Sequence, residues 1–338
     1  MESNKEKLVH SDIREVVAEY NKKRIYEENH RYTSFDYCYN YFWQTENIEK
    51  DIEKSCLVLG FYLASWGMFR GSSFLLQKSV KYFEPIIKYI SNQDKSVWKI
   101  DVDNYNPESM KEIKRIYDGI KELLIKNGNA DLTLITKILL GVFGFVPAFD
   151  NYFCDNFRII AGDAKKKCRF RNLDEDSLTV IKDFYKSNKE SIDDISKHTF
   201  TKDFNGQETK INYPKAKIID MYGFAARLMK IYAIYAQMEQ EPRCYVEAKS
   251  SNDLIKIMKE RDRKGEPYGM FPGWNPIEVD RKEMIQILNR FNENDIGLVE
   301  EDKREEFALF VRMQLDNSSI IEELKKYKLY KQKYSVNR

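Results

Sequence analysis

Histidine, cysteine, proline and glycine are all scarce in this 338-residue chain, and each scarcity removes a class of answer. The three histidines, His10, His30 and His198, stand far apart and never at ligand spacing from one another or from a cysteine. A zinc site built from sequence neighbours is thereby excluded, and neither a metal nor another cofactor is expected. The five cysteines, Cys38, Cys56, Cys154, Cys168 and Cys244, include no C-x-x-C pair. Their odd number in a chain of this size argues against a disulfide framework and for a reducing compartment. The longest uncharged run, Ser55 to Phe69, is shorter than the roughly 20 residues a membrane span needs, so no membrane partner is expected. The charged start, Met1 to Lys7, leads into no apolar stretch; no signal peptide is expected and a cytoplasmic location is.

A one-signed charge is missing too. Lysine and arginine number 56 against 54 acidic residues, which argues against a wholly basic nucleic-acid coat. Any electrostatic partner must be read from local patches. What is abundant is apolar and aromatic surface, 42% and 14% of residues, enough to build a sizeable core in which rings carry much of the packing.

The apolar periodicity is helical almost throughout. Residues 5–28 and 173–197 read as charged amphipathic helices, and the tyrosine-rich stretch from Tyr32 as a third. From Asp51 to about Tyr89 a helix runs through a core, with Gly60, Ala64, Gly67 and Gly71 as one small-residue stripe. Pro85 interrupts or ends it. Val97 to Ile100 is a short strand in a polar loop. A helix from Pro107 to about Lys126 leads through an Asn127–Asp131 turn into a helix reaching Phe143. A break at Gly144–Pro147 then opens another helix, which stops near Gly162. Lys215 to Gln240 reads as one long apolar helix. The predicted fold is therefore all-α or nearly so: a large helical domain over 1–242 and a smaller helical C-terminal region over 243–338.

The order Leu123-Leu124-Ile125-Lys126-Asn127-Gly128-Asn129, apolar helix, then Gly144 to Asp150 resembles the core of the helix–hairpin–helix DNA glycosylases over about residues 113–160. The resemblance implies that backbone amides at Gly128 and Asn129 grip a DNA phosphate. It implies also that Asp150 is the catalytic carboxylate, stabilising the cationic sugar as the base leaves. The turn holds no lysine, where strand-cleaving members of that family keep their nucleophile. Read as structure alone, Asp150 starts a helix and complements its dipole.

Directly downstream, Lys165, Lys166, Lys167, Arg169 and Arg171 form a basic cluster able to neutralise phosphates, and an exposed Phe170 among them could stack on a base. The alternative is a solvated loop balanced by Asp174, Glu175 and Asp176. Arg70 closes the uncharged run, and a guanidinium beside a core seeks an anionic or carbonyl partner, so it is a candidate ligand or anion contact. The lysine–tyrosine tail from Lys325 to Tyr334 reads as a basic helix end. Tyr245-Val246-Glu247-Ala248-Lys249 resembles the Glu-x-Lys strand of one nuclease superfamily. That motif needs an aspartate on a neighbouring strand of a mixed sheet, and the helix expected before it argues against the match.

Two function classes follow. One is nucleic-acid binding or processing, extending to DNA-glycosylase-like base excision; the partner is then DNA or another nucleic acid. The other is a non-enzymatic helical protein that binds a protein partner. The sequence leaves open whether the chain is an enzyme and what its oligomeric state is.

Overall fold

The computed structural model describes residues 8–9, 12–26, 30–126, 131–161, 168–226, 230–235, 242, 244–265 and 274–280. In chain order the elements are β1 (Leu8–Val9), α1 (Ile13–Tyr26), α2 (Ser34–Gln44), α3 (Ile52–Ser65), α4 (Glu84–Ser91), α5 (Pro107–Leu124) and α6 (Leu132–Phe143). Then come α7 (Asn151–Ile160), α8 (Glu175–Ser187), α9 (Lys189–His198), β2 (Phe200–Lys202), β3 (Glu208–Asn212), α10 (Lys215–Ala225), β4 (Lys230–Tyr235), β5 (Cys244–Ala248), α11 (Ser251–Arg263) and β6 (Asn275–Val279). Of the described residues 64% are helical and 10% lie in strands, so they are mostly helical, as expected, though two small sheets make "all-α" only roughly true. Among the described residues no helix is long and apolar enough to cross a membrane.

Two compact units emerge, one of Ile13–Ala225 and one of Met1–Asp12 with Ala226–Arg338. The division falls at Ala225, where the sequence placed a boundary near residue 242. The expected helix from Lys215 to Gln240 is instead α10 followed by β4. Periodicity cannot separate a short buried strand from a buried helix, and Ile231-Tyr232-Ala233-Ile234-Tyr235 is buried on both faces between two neighbouring strands. The region after residue 242, expected to be helical, supplies β5 and β6 to the same sheet.

In that second unit the strand order is β1-β5-β4-β6, with β1 parallel to β5 and β4 antiparallel to both its neighbours. Tyr232, Ile234, Cys244, Val246 and Ala248 share a cluster with Leu254 and Met258 of α11, so α11 covers their face. The Glu-x-Lys segment therefore does follow a strand in a mixed sheet, contrary to the expectation. Its neighbour β4, however, carries no acidic residue, and Ile231 lies opposite Glu247.

The first unit is built on α6, which packs against α2, α3 and α5. The α5–α6–α7 succession agrees with the sequence reading because its punctuation is strong. Asn106 and Ser109 form a reciprocal cap on α5, with Pro107 in the first turn. Gly144, at φ 74°, closes α6 by donating to the Leu139 and Leu140 carbonyls. The small-residue stripe does not form. Helix α3 stops at Ser65, and Gly67 and Gly71 take the left-handed backbone that turns the chain away. Pro85 opens α4 and ends nothing, residues Lys95–Lys99 are a 3-10 turn in place of the expected strand, and the 173–197 segment splits at Asn188 into α8 and α9.

Asp36 and Asn40, one turn apart on α2 and both buried, tie the β2–β3 hairpin to the helices. Asp36 accepts from the Lys202 amide (2.9 Å) and from the Tyr213 hydroxyl, while Asn40 donates to the Lys202 carbonyl (2.9 Å).

Gly141 of α6 faces α3 at close quarters: a methyl group there would sit 2.7 Å from Cζ of the buried Tyr62 ring. Gly141→Ala is expected to destabilise the protein by about 1–3 kcal/mol, because neither helix can yield without unpacking. Chemical denaturation of the variant checks this; unchanged stability would mean that the two helices are free to separate.

Candidate functional site

The site grows from the loop between α6 and α7. Two threonines one helical position short of a turn apart on α6 hold that loop by its backbone. Thr133 donates to the Phe149 carbonyl (2.9 Å), and Thr136 accepts from the Phe149 amide (2.9 Å). From the far side, the Asp220 carboxylate of α10 accepts from the Ala148 amide (3.1 Å). Asp150 follows directly and caps α7, its carboxylate accepting from the Phe153 amide at 3.0 Å. The cap read from sequence is therefore formed.

Asp150 is not a solvated first-turn residue. Burial raises its carboxyl above the ordinary range; the Phe153 amide and the Lys137 ammonium pull it down, and the Asp220 carboxylate pushes it further up. Lys137 is the one charged residue of α6 and is buried. Its ammonium donates to the Trp66 carbonyl at 2.8 Å. Burial lowers its affinity for the proton, Asp150 and Asp220 restore part of it, and Arg70 and Arg31 oppose them. Five charges thus belong to one electrostatic group.

A second buried ion pair completes it. Lys217 and Asp220, three residues apart on α10, meet at 2.7 Å with side chains 2% and 8% exposed. The Lys217 ammonium lies 4.7 Å from the Trp66 ring centre, 4.8 Å from Phe35 and 5.5 Å from Tyr20. Tyr20, Tyr32 and Trp66 stack in sequence, at 4.5 and 5.4 Å between centres. Phe224 stands edge-on to all three, and Tyr152 stands edge-on to Phe224 at 5.6 Å. Tyr152 is exposed, and Trp66 and Phe224 are half-buried, so one side of the array reaches solvent. Arg31 lies against the Tyr32 ring there (5.5 Å). Two buried donors of the array, the Trp66 indole N–H and the Tyr20 hydroxyl, have no hydrogen-bond partner among the described residues.

The other residues singled out by sequence are distributed as follows. Arg70 is exposed beyond the turn after α3, its guanidinium folded back over Gly67. Gly128, Asn129, Lys165, Lys166 and Lys167 lie outside the described residues, as does the 325–334 tail. Arg169 and Arg171 are exposed. Phe170 is not available to a base: it is 1% exposed and packed against Phe149, Phe153 and Phe157. An apolar ring between two arginines turns inward because the core behind α7 is aromatic, and a φ of 48° at Phe170 accommodates the turn. Among the described residues no group of three or more His, Cys, Asp or Glu is placed to hold a metal ion.

Sequence reasoning singled out Asp150 and did not single out Lys137, Lys217, Asp220 or Trp66. The usable signal was a lone lysine inside the most apolar of the described helices, since an ammonium is not buried without a partner.

Comparison with models of protein families, with curated proteins and with solved structures returns no match to this chain.

Two outcomes are expected. Lys217→Met leaves Asp220 buried without its counter-ion and costs about 3–5 kcal/mol, whereas adding Asp220→Asn returns much of the loss. Denaturation of both variants tests the pair, and equal losses in the single and the double would show that it is not coupled. The second outcome concerns pH. A folded-state carboxyl raised above its unfolded value of 3.8 binds its proton more readily when folded, so its contribution is present at acid pH and lost as pH rises through the raised value. The stability of the parent relative to Asp150→Asn, which keeps the cap, should accordingly increase as pH falls from neutral towards 4. A flat difference would place Asp150 in water.

Proposed function

We propose that the Ile13–Ala225 unit binds nucleic acid and that Asp150 is its reactive carboxylate, in the manner of the helix–hairpin–helix DNA glycosylases that residues 113–160 resemble. One observation carries the reading. A helix-capping carboxylate, desolvated and held by a doubly pinned loop, shares one group of charges with Lys137, Arg31 and Arg70 at the edge of an open aromatic array.

Each part has a task in base release. The array offers ring faces against which a base can stack, the exposed Tyr152 ring foremost. As the glycosidic C–N bond breaks, the bonding pair leaves with the base and the sugar becomes cationic. The Asp150 carboxylate stabilises that cation in a site where water screens poorly. Water then adds to the sugar, and the proton it loses goes to the departed base anion, leaving a neutral base and a hydroxylated sugar. Lys137 acts as a positioning residue that favours the ionised form of Asp150. The exposed Arg169 and Arg171, with Arg31, Arg70, the Gly128–Asn129 turn and the 165–167 lysines, would meet the phosphates.

The test is binding of labelled duplex and single-stranded DNA across a salt series, followed by base-release assays. Changing Lys165, Lys166 and Lys167 together to Glu should abolish salt-sensitive binding. Asp150→Asn should leave affinity within about twofold while cutting base release by roughly 10²–10³, the usual cost of losing a preorganised electrostatic group. Absence of binding at low salt would sink the reading.

A second reading has its own observation. Leu57 and Phe61, one turn apart on α3, are 48% and 66% exposed and form an apolar pair on one helix face, which suits a protein partner.

A further inference from the structure

We propose that the cleft where α8, α9, β3 and the start of α10 meet is a phosphate-binding site, separate from Asp150. The cleft has a volume of about 660 Å³ and is lined by Asp103, Tyr185, Lys186, Lys189, Asp193, Ser196, Lys197, Asn212 and Lys215. Four ammonium groups and two carboxylates leave a net charge of about +2. Tyr185 is the single ring among the lining residues, and its hydroxyl is already given to Asp193 at 2.9 Å. A ligand here is therefore recognised by charge and hydrogen bonds and not by stacking.

The carboxylates organise the cations without cancelling all of them. Asp103 holds the Lys215 ammonium at 2.6 Å, and Asp193 holds that of Lys189 at 2.6 Å. Lys215 in turn is held well in place, because its own amide and that of Ala216 donate to Asp101 (2.7 and 2.9 Å). Across the cleft, the Asn212 amide donates to the Ser196 and Lys197 carbonyls, and the Ser196 hydroxyl to the Tyr213 carbonyl. The frame is thus fixed on both sides. Lys186 meets only the exposed Asp183, outside the cleft, at 3.5 Å, and Lys197 has no carboxylate partner among the described residues. Two ammonium groups free of carboxylates in the cleft, with two carboxylate-paired ones lining it as well, suit a ligand bearing several adjacent negative charges. A lone carboxylate would underuse the volume. Linked phosphates match it, and they have two sources: a nucleic-acid backbone or a free polyphosphate chain such as that of a nucleotide.

Calorimetry with inorganic tripolyphosphate, and with a single-stranded oligonucleotide, tests the assignment on the full chain at low salt. The parent should bind tripolyphosphate with an affinity that falls as salt rises. Lys186→Glu with Lys197→Glu should weaken it at least tenfold. A charge-matched control, Lys50→Glu with Lys81→Glu, and Asp150→Asn should each bind like the parent; circular dichroism confirms that all variants are folded. If the oligonucleotide competes with tripolyphosphate, the ligand is a nucleic-acid backbone, and if it does not, the ligand is a free polyphosphate. Either result supports the site. Absence of tripolyphosphate binding, or equal losses in the cleft variant and the charge-matched control, would overturn it. The result does not depend on base release, so failure of the Asp150 reading and failure of this one are distinguishable.

Discussion

The buried ammonium of Lys217 is the constraint around which the helical unit is arranged. A charge removed from water needs a counter-ion and polarisable surroundings, or the site does not form. Asp220 gives the first at 2.7 Å, and the faces of Tyr20, Phe35 and Trp66 give the second. Those three rings come from α1, from α2 and from the end of α3, so one cation draws together four helices that are far apart in sequence. The remaining oxygen of Asp220 fixes the Ala148 amide, and the constraint passes from there into the α6–α7 loop.

That loop is where the fold fixes the proposed site. Its backbone is held by Thr133, Thr136 and Asp220, none of which contributes a charge at the solvent edge. The bonds leave Asp150 little freedom, which is the usual condition for a carboxylate whose surroundings are set before any ligand arrives. The same low polarity that raises Asp150 lowers Lys137, and each partly offsets the other. Each charge thus eases the burial of the other, and the environment of the Asp150 carboxyl depends on the packing that encloses Lys137.

How much of this could be read in the chain depended on the range of the signal. Caps and turns are local, so Pro107, Gly144 and Asp150 announced α5, α6 and α7 close to where they form. The Asp150 cap was legible for the same reason. Burial is not local. Ile231 to Tyr235 became a strand because β5 and β6 flank it, which no window centred on it contains. Phe170 sat in a basic run and turned inward because Phe149, Phe153 and Phe157 lay behind it. The stripe Gly60-Ala64-Gly67-Gly71 had helical spacing, yet two of its glycines were spent on positive φ. Lys217 and Asp220 were three residues apart, as in many solvated helix pairs, and only the packing of four helices distinguishes them.

The balanced composition takes on a different meaning once the pairs are placed. Much of the charge is neutralised within single helices, as in Lys88–Glu84, Lys114–Asp118, Arg115–Glu112 and Lys264–Glu260. Such exposed pairs contribute little to stability, but they remove cations from the list available to a partner. Arg31 and Arg70 belong to the electrostatic group of Asp150, and Lys197 lies in the lysine-lined cleft. A chain with a net charge of +2 can still present a locally positive edge, as the cleft lined by four lysines and two aspartates does. Overall charge argued against a basic coat and said nothing about such edges.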